Sequence, residues 1–162
     1  MQLIIVFMVL YCIVIVLVFY KMKFNKILTL IFFPRKIYWS DWGNNSKIES
    51  ADLNGDNRQV LVDKVTHWPN GMALDPQRRR LYWCDARRFS ISYIELNTKE
   101  IKTIFQKASH PYDITIFGNY AYLTDWPRRV TRLNLSGKKN QKEKVVRFPP
   151  NTFRVCLHEF SF

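Results

Sequence analysis

Tyr38-Trp39-Ser40-Asp41 is written into this chain three times, returning as Tyr82-Trp83-Cys84-Asp85 and as Tyr122-Leu123-Thr124-Asp125. The aspartates stand 44 and 40 residues apart. A period of this length belongs to propeller blades or solenoids, in which each unit buries its apolar face only against its neighbours. The architecture therefore has to be settled before any function is argued.

The rest of the period repeats with the cassette. Upstream lie Pro69-Asn70-Gly71-Met72-Ala73-Leu74 and Pro111-Tyr112-Asp113-Ile114-Thr115-Ile116, with a further copy at Pro150-Asn151-Thr152-Phe153-Arg154-Val155. Downstream, Lys47 to Gly55 is matched by Ser90 to Thr98 and by Arg129 to Gly137. Each unit closes on a short apolar run: Gln59 to Val62, Ile101 to Phe105 and Val145 to Phe148. Asn54-Gly55 marks a tight hairpin, because both residues tolerate positive φ, and Ser136-Gly137 marks a weaker one. Val, Ile, Tyr, Trp and Thr crowd segments too short for helices, so each period predicts four antiparallel strands rather than a helical pair. The first unit is expected to lack its upstream strand, since an apolar leader occupies that stretch.

The three cassettes, with Trp68-Pro69-Asn70-Gly71-Met72-Ala73-Leu74-Asp75 and Arg80-Leu81-Tyr82-Trp83-Cys84-Asp85-Ala86, resemble the YWTD (class B) repeats of the low-density lipoprotein receptor family over about residues 36–157. The resemblance implies an all-β fold, an incomplete six-bladed YWTD β-propeller of about three four-stranded antiparallel blades. It implies a non-catalytic extracellular receptor module. Its partner would be a protein ligand (a lipoprotein, a yolk protein or a Wnt-pathway protein) or an adjoining receptor domain displaced at low pH. Leu123 departs from the pattern by replacing the cassette Trp, and no Cys-rich module accompanies the repeats. Two other readings stay open: a propeller hydrolase or lactonase, and a gene fragment without independent function. The hydrolase needs acidic or His side chains converging on a central axis, which half a ring cannot assemble.

Alternation along a strand puts Tyr38 and Ser40 on one face and Trp39 and Asp41 on the other. Tyr38, Trp39, Tyr82, Trp83 and Tyr122 are expected to pack between blades, each burying on the order of 150–250 Å². Asp41, Asp85 and Asp125 are expected to be struts that accept backbone amides from a neighbouring blade, as the resemblance implies, because a buried carboxylate persists only when hydrogen-bonded. Three copies on three blades speak for architecture over catalysis, and neither a catalytic residue, a metal site nor a cofactor is expected. Loops after the cassettes supply the candidate ligand-binding residues Trp42, Arg87, Arg88, Trp126, Arg128 and Arg129, joined by Trp68 and Asn70 of the upstream landmark. Exposed aromatics and arginines on a rigid frame are the usual interface anchors; the competing role for the tryptophans is to close the blades.

The 25 Lys+Arg against 13 Asp+Glu give a net charge of +12. A basic surface raises nucleic acid as a partner. The charge sits in turns such as Gln77-Arg78-Arg79-Arg80, expected to be solvated, and no nucleic-acid motif accompanies it, so none is expected to bind. Cys12, Cys84 and Cys156 are too few and too scattered for a disulfide framework, and Cys84 reads as a buried free thiol. His67 and His110 precede the proline landmarks, where packing is the expected role. Asn44-Asn45-Ser46 and Asn134-Leu135-Ser136 are candidate glycosylation triplets.

Residues 1–33 form a separate segment and 34–162 the repeat domain. Leu3 to Tyr20 is an unbroken apolar run, about 27 Å as a helix and so roughly the thickness of a bilayer core. It reads either as a membrane anchor or as translated intron. The lysines Lys21, Lys23 and Lys26 follow the run, which by the positive-inside rule would leave the repeats on the wrong side for a receptor. Residues 1–33 also contain no Gly, Ala, Pro or Arg, the composition of AT-rich non-coding sequence. The localisation expected from the resemblance is membrane-attached, with the repeats extracellular or lumenal.

Overall fold

A computed structural model describes residues 30–32, 35–41, 45–126, 129–136 and 142–147. They form twelve strands in three four-stranded antiparallel sheets. Sheet 1 holds β1 (Leu30–Phe32), β2 (Lys36–Asp41), β3 (Lys47–Asp52) and β4 (Gln59–Val62). Sheet 2 holds β5 (Pro69–Asp75), β6 (Arg80–Asp85), β7 (Ser90–Glu95) and β8 (Ile101–Phe105). Sheet 3 holds β9 (Pro111–Phe117), β10 (Tyr120–Asp125), β11 (Arg129–Asn134) and β12 (Lys142–Arg147). Strand order within each sheet is sequence order, the meander expected of short strands joined by hairpins. The cassettes are β2, β6 and β10.

One expectation fails. The first sheet does not lack its upstream strand: Leu30, Ile31 and Phe32, inside the supposed leader, pair with Trp39, Tyr38 and Ile37. The register is that of the other sheets, where Met72 opposes Trp83 and Ile114 opposes Leu123. Leu30, Met72 and Ile114 are thus equivalent and lie 42 residues apart each time. The boundary drawn at residue 33 therefore cuts through sheet 1. The apolar run 3–20, its expected helix and anchor role, and the landmark at residues 150–155 lie outside the described residues. Among the described residues no helix is long and apolar enough to cross a membrane.

The sheets stack face on face. Tyr38, Ile48 and Val62 of sheet 1 meet Met72, Leu74, Leu81, Trp83 and Ile94 of sheet 2 in one buried cluster. Ala73, Tyr82, Cys84, Ile91 and Tyr93 of sheet 2 meet Ile114, Ala121, Leu123 and Leu133 of sheet 3 in another. Alternation assigns the roles: the cassette Tyr points to the following sheet and the cassette Trp to the preceding one. Leu123, in the Trp position of sheet 3, fills that position against sheet 2. Trp39 and Tyr122 lie on the outer faces of the stack. They point away from sheet 2, Trp39 fully buried with Arg58 over its ring and Tyr122 half-buried.

The inner strands close at Gly71, where a Cβ would overlap the Cα of Asp113 on β9. The Asn54-Gly55 hairpin uses positive φ at Gly55 but not at Asn54; Asn57 supplies the second such residue. The basic run 77–80 is not simply solvated. Arg78 pairs with buried Asp75 (2.8 Å) and reaches the Gly118 carbonyl and Asn119 side chain of the next sheet. Arg80 pairs with Glu95 at 2.7 Å and lies over Tyr93.

Candidate binding surface

Each sheet ends its cassette strand at the same edge of the stack, so the post-cassette loops and the inter-sheet linkers gather there. A repeated backbone bond fixes them: the Ala86 amide donates to the Trp68 carbonyl (3.0 Å) and the Trp126 amide to the His110 carbonyl (3.1 Å). Trp68 and His110 are equivalent, each immediately before a landmark proline.

Asp85 organises this edge in sheet 2. Its buried carboxylate accepts from the Thr66 hydroxyl (3.0 Å) and the amides of His67 (2.7 Å) and Trp68 (3.3 Å) on the linker. It also accepts from the amides of Arg87 (3.1 Å) and Arg88 (3.0 Å) in its own turn. The donors differ from the neighbouring-blade amides anticipated: they come from the linker entering the sheet and from the sheet's own loop. The linker in turn is tied to sheet 1, because the Ser46 hydroxyl donates to the Thr66 carbonyl at 2.8 Å. Asp125 is satisfied differently, by the Arg129 amide (3.0 Å) and guanidinium (2.7 Å). The loop following Asp41 falls largely outside the described residues.

Around these anchors the surface is aromatic and basic. Trp126 is 77% exposed, Phe89 40% and Trp68 39%. Arg87 and Arg88 are exposed, with Arg87 lying over the Trp68 ring at 5.5 Å. Phe89 meets the His110 ring edge-on, with centroids 4.7 Å apart, and holds φ +53. Trp68 and Trp126 thus do not close blades by burial. Asn70 does not face solvent as an anchor would: it is half-buried and donates to the Pro111 carbonyl (3.3 Å), linking β5 to β9. Arg129 is committed to Asp125. Trp42, Arg128 and Asn44 lie outside the described residues. Phe89, which ends the post-cassette loop that holds Arg87 and Arg88, joins these candidates through its exposed ring.

Among the described residues no three His, Cys, Asp or Glu side chains converge to hold a metal. Cys84 is buried and unbridged, and burial, reinforced by Asp113 and Asp85, pushes its thiol well above the ordinary range; a thiol so held is no nucleophile.

Residues 35–76 match the low-density lipoprotein receptor repeat class B. The human (Homo sapiens) low-density lipoprotein receptor-related protein 5-like protein is 39% identical over 113 residues, 69% of this chain and 45% of that protein. The vitellogenin receptor Yl of Drosophila melanogaster is 33% identical over 101 residues, 60% of this chain and 5% of that protein. Among solved structures, the nidogen/laminin complex matches with TM-score 0.61 and 28% identity over 67% of this chain and 42% of the matched one. A gluconolactonase from Xanthomonas campestris matches with TM-score 0.62 at 14% identity, covering 74% of this chain and 47% of that one; at that identity the likeness is of fold alone. The chain spans less than half the length of each of these proteins.

Proposed function

We propose, from the premise that the recurring unit of this chain is the class B repeat of low-density lipoprotein receptors, that the chain is a non-catalytic extracellular ligand-binding module of such a receptor. Its three sheets are then three blades of a six-bladed propeller. The observation that carries the reading is the gathering of exposed Trp68, Arg87, Arg88, Phe89 and Trp126 on one edge, held by the buried carboxylate of Asp85. Rigid aromatic rings flanked by guanidinium groups suit a protein segment bearing carboxylates and an apolar side chain. The relatives supply the probes: vitellogenin for the receptors that carry its name, laminin for the nidogen complex.

The test immobilises the full chain and titrates it with vitellogenin, lipoprotein particles and laminin. The triple variant Trp68→Ala, Arg87→Ala, Trp126→Ala should weaken the productive interaction by at least about tenfold, or ~1.4 kcal/mol. Arg79→Ala, at the opposite edge, should leave it unchanged. Equal affinity of the triple variant and the parent chain, or no binding to any of the three probes, overturns the proposal.

A further inference from the structure

We propose that Asn134 is an N-glycosylation site, an assignment that rests on the extracellular reading above. The argument is a comparison of equivalent positions. Lys36 opposes Asp52, Arg80 opposes Glu95 and Tyr120 opposes Asn134 in the same register of the three sheets. In sheets 1 and 2 the position holds a cross-strand ion pair, Lys36–Asp52 at 2.8 Å and Arg80–Glu95 at 2.7 Å. In sheet 3 both members are replaced, and the acid has become a neutral carboxamide inside the triplet Asn134-Leu135-Ser136. A position that elsewhere locks the side chain is here left open to modification.

The folded geometry accommodates a glycan at Asn134. Asn134 Oδ1 accepts from the Ser136 amide at 2.8 Å, and among the described residues no group accepts from its Nδ2. Leu135 packs against the cluster between sheets 2 and 3, and its amide donates to the Asn119 carbonyl at 2.8 Å. The middle residue thus anchors the triplet while Asn134 stays half-exposed and Ser136 exposed. The other triplet offers less. Asn44 lies outside the described residues, and its hydroxyl residue Ser46 is buried against the Thr66 carbonyl.

Room for a glycan follows from the same comparison. Asp52 has sheet 2 packed on its side of sheet 1, yet its side chain keeps 34% exposure. A further blade beside sheet 3 would therefore leave the equivalent Asn134 reachable. The position also lies at the edge opposite the loops of Trp68 and Trp126, since it faces Tyr120 at the start of β10 rather than Asp125 at its end. A sugar chain there leaves the candidate binding surface clear.

The reaction takes its oligosaccharide from a lipid-linked pyrophosphate donor. Nδ2 bonds to the anomeric carbon, the bond from that carbon to the pyrophosphate oxygen breaks, the lipid pyrophosphate departs, and the amide proton passes to a base of the transferase.

The test expresses the full chain behind a cleavable secretion signal in animal cells, with N44Q present so that only Asn134 is available. Protease protection confirms entry into the lumen. The expected result is one glycan removed by peptide N-glycosidase, leaving Asp at position 134 by peptide mass spectrometry. N134Q, S136A and N134D should each abolish it, the last restoring the acid that sheets 1 and 2 carry, while S136T should keep or raise occupancy. Transfer occurs as the chain enters the lumen, so the readout does not depend on the variants' final stability. A protected chain that is insensitive to the enzyme in both the Ser136 and S136T forms overturns the inference. That outcome leaves the receptor reading standing, because ligand titration tests it separately.

Discussion

Asp85 and Asp125 hold the same cassette position with different partners, and the difference sets what their loss should cost. Asp85 is 1% exposed and accepts three donors from the linker and two from its own turn. Asparagine in its place turns one acceptor oxygen into a donor facing other donors. Asp85→Asn should destabilise the chain by roughly 1–3 kcal/mol, the penalty for buried groups left unsatisfied. Among the described residues the donors to Asp125 come from Arg129, and Asp125→Asn should cost less than Asp85→Asn. Urea denaturation midpoints measure both; equal shifts would refute the distinction. Glu49 supplies a pH dependence. Burial would raise its pKa, but hydrogen bonds and charge from Arg58 and Lys47 prevail and hold it below the ordinary carboxylate range. A folded-state pKa below the unfolded value means the contribution is present above the ordinary carboxylate range and is lost as pH falls through the depressed value. Stability should therefore decline on acidification in that window, and Glu49→Gln should flatten the decline in a series of melts.

At the scale of the strand, much was legible because the signals are local. The cassettes became β2, β6 and β10, and the proline landmarks became β5 and β9, since alternation and turn residues act over a few positions. β1 was not legible. Leu30-Ile31-Phe32 lacks the proline and glycine that announce β5, and it follows an apolar run whose composition pointed elsewhere. What places it is the hairpin register to Ile37, Tyr38 and Trp39; a three-residue apolar strand has no alternation to set it apart from the apolar run before it. Arg78 escaped because its contacts are long-range: its partners Gly118 and Asn119 lie 40 and 41 residues away. The binding edge was half legible. Trp68, Arg87, Arg88 and Trp126 were named from loop position, but the commitment of Asn70 to Pro111 and of Arg129 to Asp125 depends on folded neighbours. The role of β1 predicts a sharp contrast between two truncations. Residues 29–162 keep the fourth strand of sheet 1, whereas residues 34–162 expose the inner edge of β2. The shorter chain should melt several degrees lower and exchange the amides of Lys36 to Asp41 faster by hydrogen exchange. Indistinguishable melts and exchange rates would show that β1 contributes nothing.

At the scale of the molecule, stability is approximately a sum over sheets and the interfaces between neighbours. Three sheets share two interfaces, the clusters around Trp83 and around Tyr82, whereas a closed ring has as many interfaces as blades. The deficit falls on the outer faces. On sheet 3 the face turned away from sheet 2 carries Tyr120 and Tyr122, with ring centroids 6.5 Å apart, and Arg132 lies 4.5 Å over the Tyr120 ring. Both tyrosines are half-buried, so aromatic area stays available to another surface. The chain should consequently associate with itself as concentration rises, and its thermal transition should be broad and move upward with concentration by mass action. Sedimentation velocity reads the association and calorimetry the transition. Tyr122→Lys places a charge on that face without touching the cluster around Leu123, and it should shift the population toward monomer while leaving the circular dichroism of the β-sheets intact. A sharp, concentration-independent two-state melt from a monomer would show that the two interfaces suffice for folding.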